Sequence, residues 1–83
     1  METFYIVVLE ALGNPDHGEN PYQYITKPTQ ITGKTIDEIV DKAMKWQMEN
    51  DIGAGNWRTP EVWRGNEIVG YMSYNGRIWA ERR

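Results

Sequence analysis

Only one stretch of this chain repeats its apolar residues at helical spacing, and that limits the fold class. Ile36, Ile39, Val40, Ala43 and Met44 fall on one side of a helix, with Trp46 at the edge of the stripe. Asp37, Glu38, Asp41, Lys42 and Lys45 fall on the other, where Glu38–Lys42 and Asp41–Lys45 are attractive i,i+4 pairs. Thr35 is placed to cap the first turn, Glu38 completes a capping box, and Asp37 suits the positive end of the helix dipole. Gly53 is the expected stop. A chain of 83 residues hides only about 60–65% of its unfolded surface, so its core is thin: one helix on one sheet.

The strands are read from the remaining apolar runs. Phe4 to Leu9 is continuously apolar and β-branched or aromatic, the pattern of a central strand covered on both faces. Gly13 to Pro21 is a breaker-rich exposed loop. Tyr22, Tyr24 and Thr26 alternate with Gln23 and Ile25 as a second strand, with Pro28 at its end or on an edge. After the helix, Gly53 to Pro60 is a loop, and three strands follow: Glu61–Arg64, Glu67–Tyr74 and Arg77–Glu81. Asn75-Gly76 signals a type I′ hairpin turn, and Gly65-Asn66 a weaker turn. The whole chain, residues 1–83, is expected to form a single α+β domain. Its helix packs on an antiparallel sheet in the order ββαβββ.

With two-residue turns, Trp63 pairs with Ile68, Val62 with Val69, Met72 with Trp79, and Tyr71 with Ala80. One face of the meander then carries Trp63, Ile68, Met72, Tyr74 and Trp79. The other carries Val62, Val69, Tyr71, Ile78 and Ala80, with Arg64 opposite Glu67. A single helix covers one face, so the second apolar face calls for long loops, another copy of the chain, or a partner.

Composition narrows the functional classes. Mean hydropathy is −0.69, but four Trp, five Tyr and one Phe supply large packing surfaces. The absence of cysteine excludes disulfides and cysteine-based metal sites and fits a reducing cytosol. Met1-Glu2-Thr3 shows no basic leader, and Phe4–Leu9 is too short for a membrane span. A cytoplasmic protein is expected. Net charge is −3: residues 1–42 hold seven acids against three lysines, and residues 43–83 hold six bases against five acids. A duplex-DNA binder is normally basic, so a nucleic-acid partner is disfavoured.

No catalytic or metal set emerges. Gly33-Lys34-Thr35 imitates the end of a phosphate loop, but Pro28 stands where that pattern needs its first glycine. Asp16, His17 and Glu19 lie in the polar loop without an orienting group or enough ligands for a metal. Asp37 and Asp41 share the solvent side of the helix, and Ser73 lacks a nucleophile-elbow sequence. No enzyme, cofactor or metal site is expected.

Trp57, Arg58, Trp63, Arg64, Tyr71, Tyr74, Arg77 and Trp79 concentrate the residue types that dominate binding hot spots. They are the candidate partner-binding residues. The same types also stack on single-stranded nucleic acid, the alternative reading.

Residues 33–43, GKTIDEIVDKA, resemble the capped helix of HicB-type antitoxins, which implies a regulatory domain acting as a homodimer through the spare sheet face. Residues 61–79 are similar in style to the tails of short phage and prophage proteins, a class that includes anti-CRISPR inhibitors. That resemblance implies a non-enzymatic protein-protein interaction module: an inhibitor that occupies a surface of a host protein or complex.

Overall fold

A computed structural model describes residues 4–81. Its elements are β1 (Tyr5–Ala11), a 3-10 turn (Pro15–His17), β2 (Thr29–Gly33), α1 (Ile36–Glu49), β3 (Trp57–Arg58), β4 (Glu61–Arg64), β5 (Glu67–Met72) and β6 (Ile78–Trp79). The strands form one antiparallel sheet ordered β2-β1-β4-β5-β6, with β3 also paired to β1. The fold is the expected small α+β arrangement of one helix on an antiparallel sheet, with β3 added in what reads as a loop.

The β2 strand begins where the sequence pattern suggested a strand would end. Residues 22–28 are turns and one isolated bridge, Leu12 to Tyr24, and the paired segment starts after Pro28. Proline lacks an amide donor and is tolerated just ahead of an edge strand. Thr29–Gly33 pairs with Leu9–Tyr5 on its inner side. From α1, Lys42 Nζ donates to the Thr32 carbonyl at 2.6 Å, which places a positive charge on this edge element.

The helix starts as its sequence directs. Thr35 Oγ1 accepts from the Glu38 amide at 3.1 Å, and Glu38 Oε2 accepts from the Lys34 amide at 2.9 Å, one residue earlier than in a standard capping box. It ends before Gly53. Asn50 is the C-cap, Asp51 takes φ 55, and the Ile52 amide reaches back to the Gln47 carbonyl at 2.8 Å. This is a Schellman ending with aspartate in the position usually given to glycine. It turns Ile52 into the core, where it is 4% exposed.

Two irregularities reset the meander. The Gly65-Asn66 loop joins Arg64 to its partner Glu67, with positive φ at Gly65 alone, the φ pattern of a type II′ turn. Between Val62 and Trp63 the register of β4 against β5 then shifts: Trp63 faces Ile68, but Val62 faces Gly70, leaving Val69 as the extra residue of a bulge. The second hairpin is not type I′. Gly76 has φ 85 while Asn75 does not have positive φ, the Gly76 amide bonds to the Ser73 carbonyl, and the Ser73 amide to the Arg77 carbonyl. Three residues, Tyr74-Asn75-Gly76, form this loop, so Met72 pairs with Ile78 and Tyr71 with Trp79. The bulge exchanges the expected faces of Tyr71 and Met72. The longer loop compensates beyond it, so Ile78 and Trp79 keep theirs.

One face of the sheet packs on α1. Val7, Leu9, Ala11, Val62 and Met72 are fully buried there against Ile39 and Ala43. Trp46, Trp57 and Tyr74 close one end of this core, with ring centroids 6.2 and 6.3 Å apart in successive pairs. Their polar tips are satisfied: Trp57 Nε1 donates to the Met72 carbonyl, Trp46 Nε1 to Thr29 Oγ1, and Tyr74 Oη to the Ile52 carbonyl. Gln47, the one buried polar side chain among the described residues, donates to the Tyr74 carbonyl at 3.0 Å.

Candidate functional site

The opposite face of the sheet is open. The alternation that buries Val7 and Leu9 turns Ile6, Val8 and Glu10 outward. Cross-strand pairing extends this row: Trp63 lies opposite Ile6, Ile68 opposite Trp63, Tyr71 opposite Glu61, and Trp79 opposite Tyr71. On the β2 side the row ends in exposed Gln30 and Thr32. Val8 and Ile68 are each 42% exposed and Phe4 44%. The expectation that β1 is covered on both faces is therefore corrected: among the described residues, no element lies over this side.

The face is indented where β3 passes into β4. Both strands follow β1, but Thr59-Pro60-Glu61 oppose only Val8 and Leu9, so the register slips by one residue. Above the slip is a cleft of about 390 Å³ lined by Val8, Glu10, Leu12, Arg58, Thr59, Pro60, Glu61 and Trp63. Arg58, opposite Glu10, directs its guanidinium to the carbonyls of Gly13, Gly55 and Asn56, each at 3.4 Å.

The eight residues predicted for partner binding separate into groups. Trp63, Tyr71 and Trp79 come together on the open face, and Arg58 borders its cleft. Trp57 and Tyr74 are instead core residues, as their ring contacts and hydrogen bonds show. Arg64 lies on the helix side, 5.6 Å over the Tyr5 ring, and Arg77 is exposed beside the second hairpin loop. The sequence reading passed over Phe4, Ile6, Val8, Glu10 and Glu61. For Phe4, Ile6 and Val8 the signal was present in the uninterrupted apolar run Phe4 to Leu9, half of which had to face away from α1.

Of the polar loop, Glu19 is structural. Its Oε1 accepts from the Asn14 amide at 2.9 Å and the Asn56 side chain at 3.1 Å. The Asn14 amide first, and then the Asn56 amide, hold the Glu19 carboxyl below its ordinary range. Among the described residues no group of three or more His, Cys, Asp or Glu is gathered to hold a metal ion, and no helix is long and apolar enough to cross a membrane. Ser73 Oγ bonds to Asn75 Oδ1 within the hairpin loop. No family model, no curated protein and no solved structure matches the chain at a significant level.

Proposed function

We propose that this chain is a non-enzymatic protein-binding domain that docks a protein partner on its open sheet face. The observation that carries the reading is the apolar and aromatic row Val8, Ile6, Trp63, Ile68, Tyr71 and Trp79 on the face away from α1, with Val8 and Ile68 exposed and the other four half-buried. Strands of two to seven residues, about 4.8 Å apart with about 3.3 Å of rise per residue, give this face an area of roughly 400 Å², within the range of functional surface patches. Aromatic rings on a rigid sheet suit hot-spot contacts, because little side-chain entropy is lost on docking. Glu10 and Glu61 on the same face disfavour a nucleic-acid backbone, and the arginines are dispersed instead of lining a strand path. An inhibitor that occupies the surface of a host complex is the form of this activity that the resemblance of residues 61–79 supports.

The test is face-specific crosslinking. A photoreactive amino acid replaces Ile68 on the open face in one variant and Lys45 on the exposed side of α1 in another. Each is irradiated in lysate of the native host after nuclease treatment. One adduct of defined mass from position 68, absent from position 45 and abolished by Trp63→Ala, is the expected result. Equal labelling from both positions, adducts that vanish with nuclease, or a mass equal to two copies of the chain would overturn it.

A further inference from the structure

We infer that Asn75 is a site of spontaneous self-modification, independent of the docking face. Its side-chain amide is lost as ammonia through attack by the Gly76 backbone nitrogen, and the residue becomes aspartate or isoaspartate. Such a reaction needs a following residue with an amide nitrogen and little bulk. Of the six asparagines, Asn14 and Asn20 precede proline, which has no N–H. Asn50, Asn56 and Asn66 precede Asp51, Trp57 and Glu67, whose side chains crowd the approach. Asn75 alone precedes glycine.

The hairpin loop adds activation to that permissive sequence. Asn75 is exposed, and its Oδ1 accepts from the Ser73 hydroxyl and, at 3.3 Å, from the Arg77 amide. The second bond is an Asx turn, which holds the side-chain carbonyl alongside the intervening Gly76 peptide. Both donors draw electrons from Cγ and face the oxygen that becomes anionic when nitrogen adds. The Gly76 amide donates to the Ser73 carbonyl at 3.0 Å, which retains its proton while the turn is closed. Only two residues of β6 pair with β5, so this turn opens on the hydrogen-exchange timescale, far faster than an amide is lost. The Oδ1 bonds reach only two residues either way and persist in the opened turn. Gly76 then yields its proton to solvent, the Gly76 N–Cγ bond forms, the Cγ–Nδ2 bond breaks, and ammonia leaves with a proton taken from solvent. Water opens the resulting cyclic imide at Cγ to give aspartate, or at the backbone carbonyl to give isoaspartate, whose main chain is one atom longer.

That extra atom disturbs a docked loop. Gly76 lies against α1, where even a Cβ would stand 3.0 Å from Val40 Cγ1. Next to the pair, the Tyr74 carbonyl accepts from Gln47 and its Oη donates to the Ile52 carbonyl. Isoaspartate at position 75 therefore loosens β6 from the core, whereas aspartate leaves it in place.

The experiment holds the purified full chain at physiological temperature and pH and follows it by peptide mapping, with fragmentation that separates aspartate from isoaspartate. The amide-to-acid mass gain should be confined to residue 75, and the isoaspartate form should lose amide protection at Ile78 and Trp79. Ser73→Ala should slow the gain about threefold, while Ser73→Thr keeps the hydroxyl and the rate. Asn75→Asp should retain the thermal midpoint of the unmodified chain. Gain spread over several asparagines, or an intact residue 75 when the urea-unfolded chain is modified there, would overturn the site. Equal rates in Ser73→Ala and the unaltered chain would overturn its activation by the loop.

Discussion

The two faces of one sheet here are built from nearly the same residue types and end in opposite states. On the helix side Val7, Leu9, Val62 and Met72 are fully buried; on the other side Ile6, Val8, Trp63 and Ile68 alternate with them along the same strands and stay partly or largely exposed. Burial on the first face follows from α1, whose stripe supplies Ile39, Ala43 and Trp46. Among the described residues no second α-helix is present to cover the other face. At about 25 cal/mol per Å² of apolar surface, an unused face forgoes several kcal/mol that a partner can supply. Apolar content tells where a sheet can bury surface, and the number of covering elements tells where it does.

The largest expected effect distinguishes the faces directly. Trp57→Ala removes a 6%-exposed ring that touches Trp46 and Tyr74 and donates to the Met72 carbonyl. A loss of about 3–5 kcal/mol is expected, a large share of the roughly 4–12 kcal/mol available to a domain of this size. Chemical denaturation of the purified variant measures it. Ile68→Thr and Val8→Thr on the open face should each cost under about 1 kcal/mol in the same assay, since both sites are already exposed and threonine keeps the strand preference. Trp63→Ala should leave the chain folded yet weaken the partner by about 2 kcal/mol, or roughly thirtyfold in Kd. Open-face variants as unstable as Trp57→Ala would break the comparison.

This division was only partly legible in the sequence. The single helix, its cap at Thr35, the central β1 strand and the Trp63–Ile68 and Arg64–Glu67 pairs all follow from local chemistry. Local patterns do not reveal the bulge at Val69, because an extra residue in one strand is visible only against its partner. That residue reverses Tyr71 and Met72, and with them the answer to which aromatic is available for binding. Trp57 and Tyr74 look identical in sequence to Trp63 and Tyr71. What separates them is tertiary: the loop after α1 carries Trp57 under the sheet, and the three-residue hairpin loop brings Tyr74 to Ile52. The Asp51 ending was hidden for another reason, since aspartate is not the residue that a helix stop of this kind favours.

That ending supplies a smaller effect, confined to the helix side. Asp51 holds φ 55, a conformation costly for residues with a Cβ, while Ile52 depends on it to enter the core. Asp51→Gly should stabilise the fold by about 0.5 kcal/mol, the relief of strain being partly offset by the entropy of glycine. A rise in thermal midpoint without change in partner affinity sharpens the separation of the faces; a change in affinity blurs it.

The smallest effect lies where the two faces meet, at the loops that Glu19 ties together through Asn14 and Asn56. These hydrogen bonds lower the folded-state pKa of Glu19 from 4.5. A lowered carboxyl contributes stability that is complete above its unfolded value and is lost as pH falls through the folded one. Acid should therefore loosen this loop pair in the carboxylate range, and Glu19→Gln should flatten the dependence by removing that small charge-dependent contribution at neutral pH as well. Amide hydrogen exchange followed from about pH 6 to about pH 4 reads the order of events. Because Asn56 also holds the Leu12 carbonyl, and Arg58 the Gly13 carbonyl, opening should begin at the loop end of the cleft while Leu9 and Ile39 remain protected. Loss of protection at Leu9 together with Asn14 would mean that the cleft and the core open as one unit, and the two faces would no longer be separable by pH.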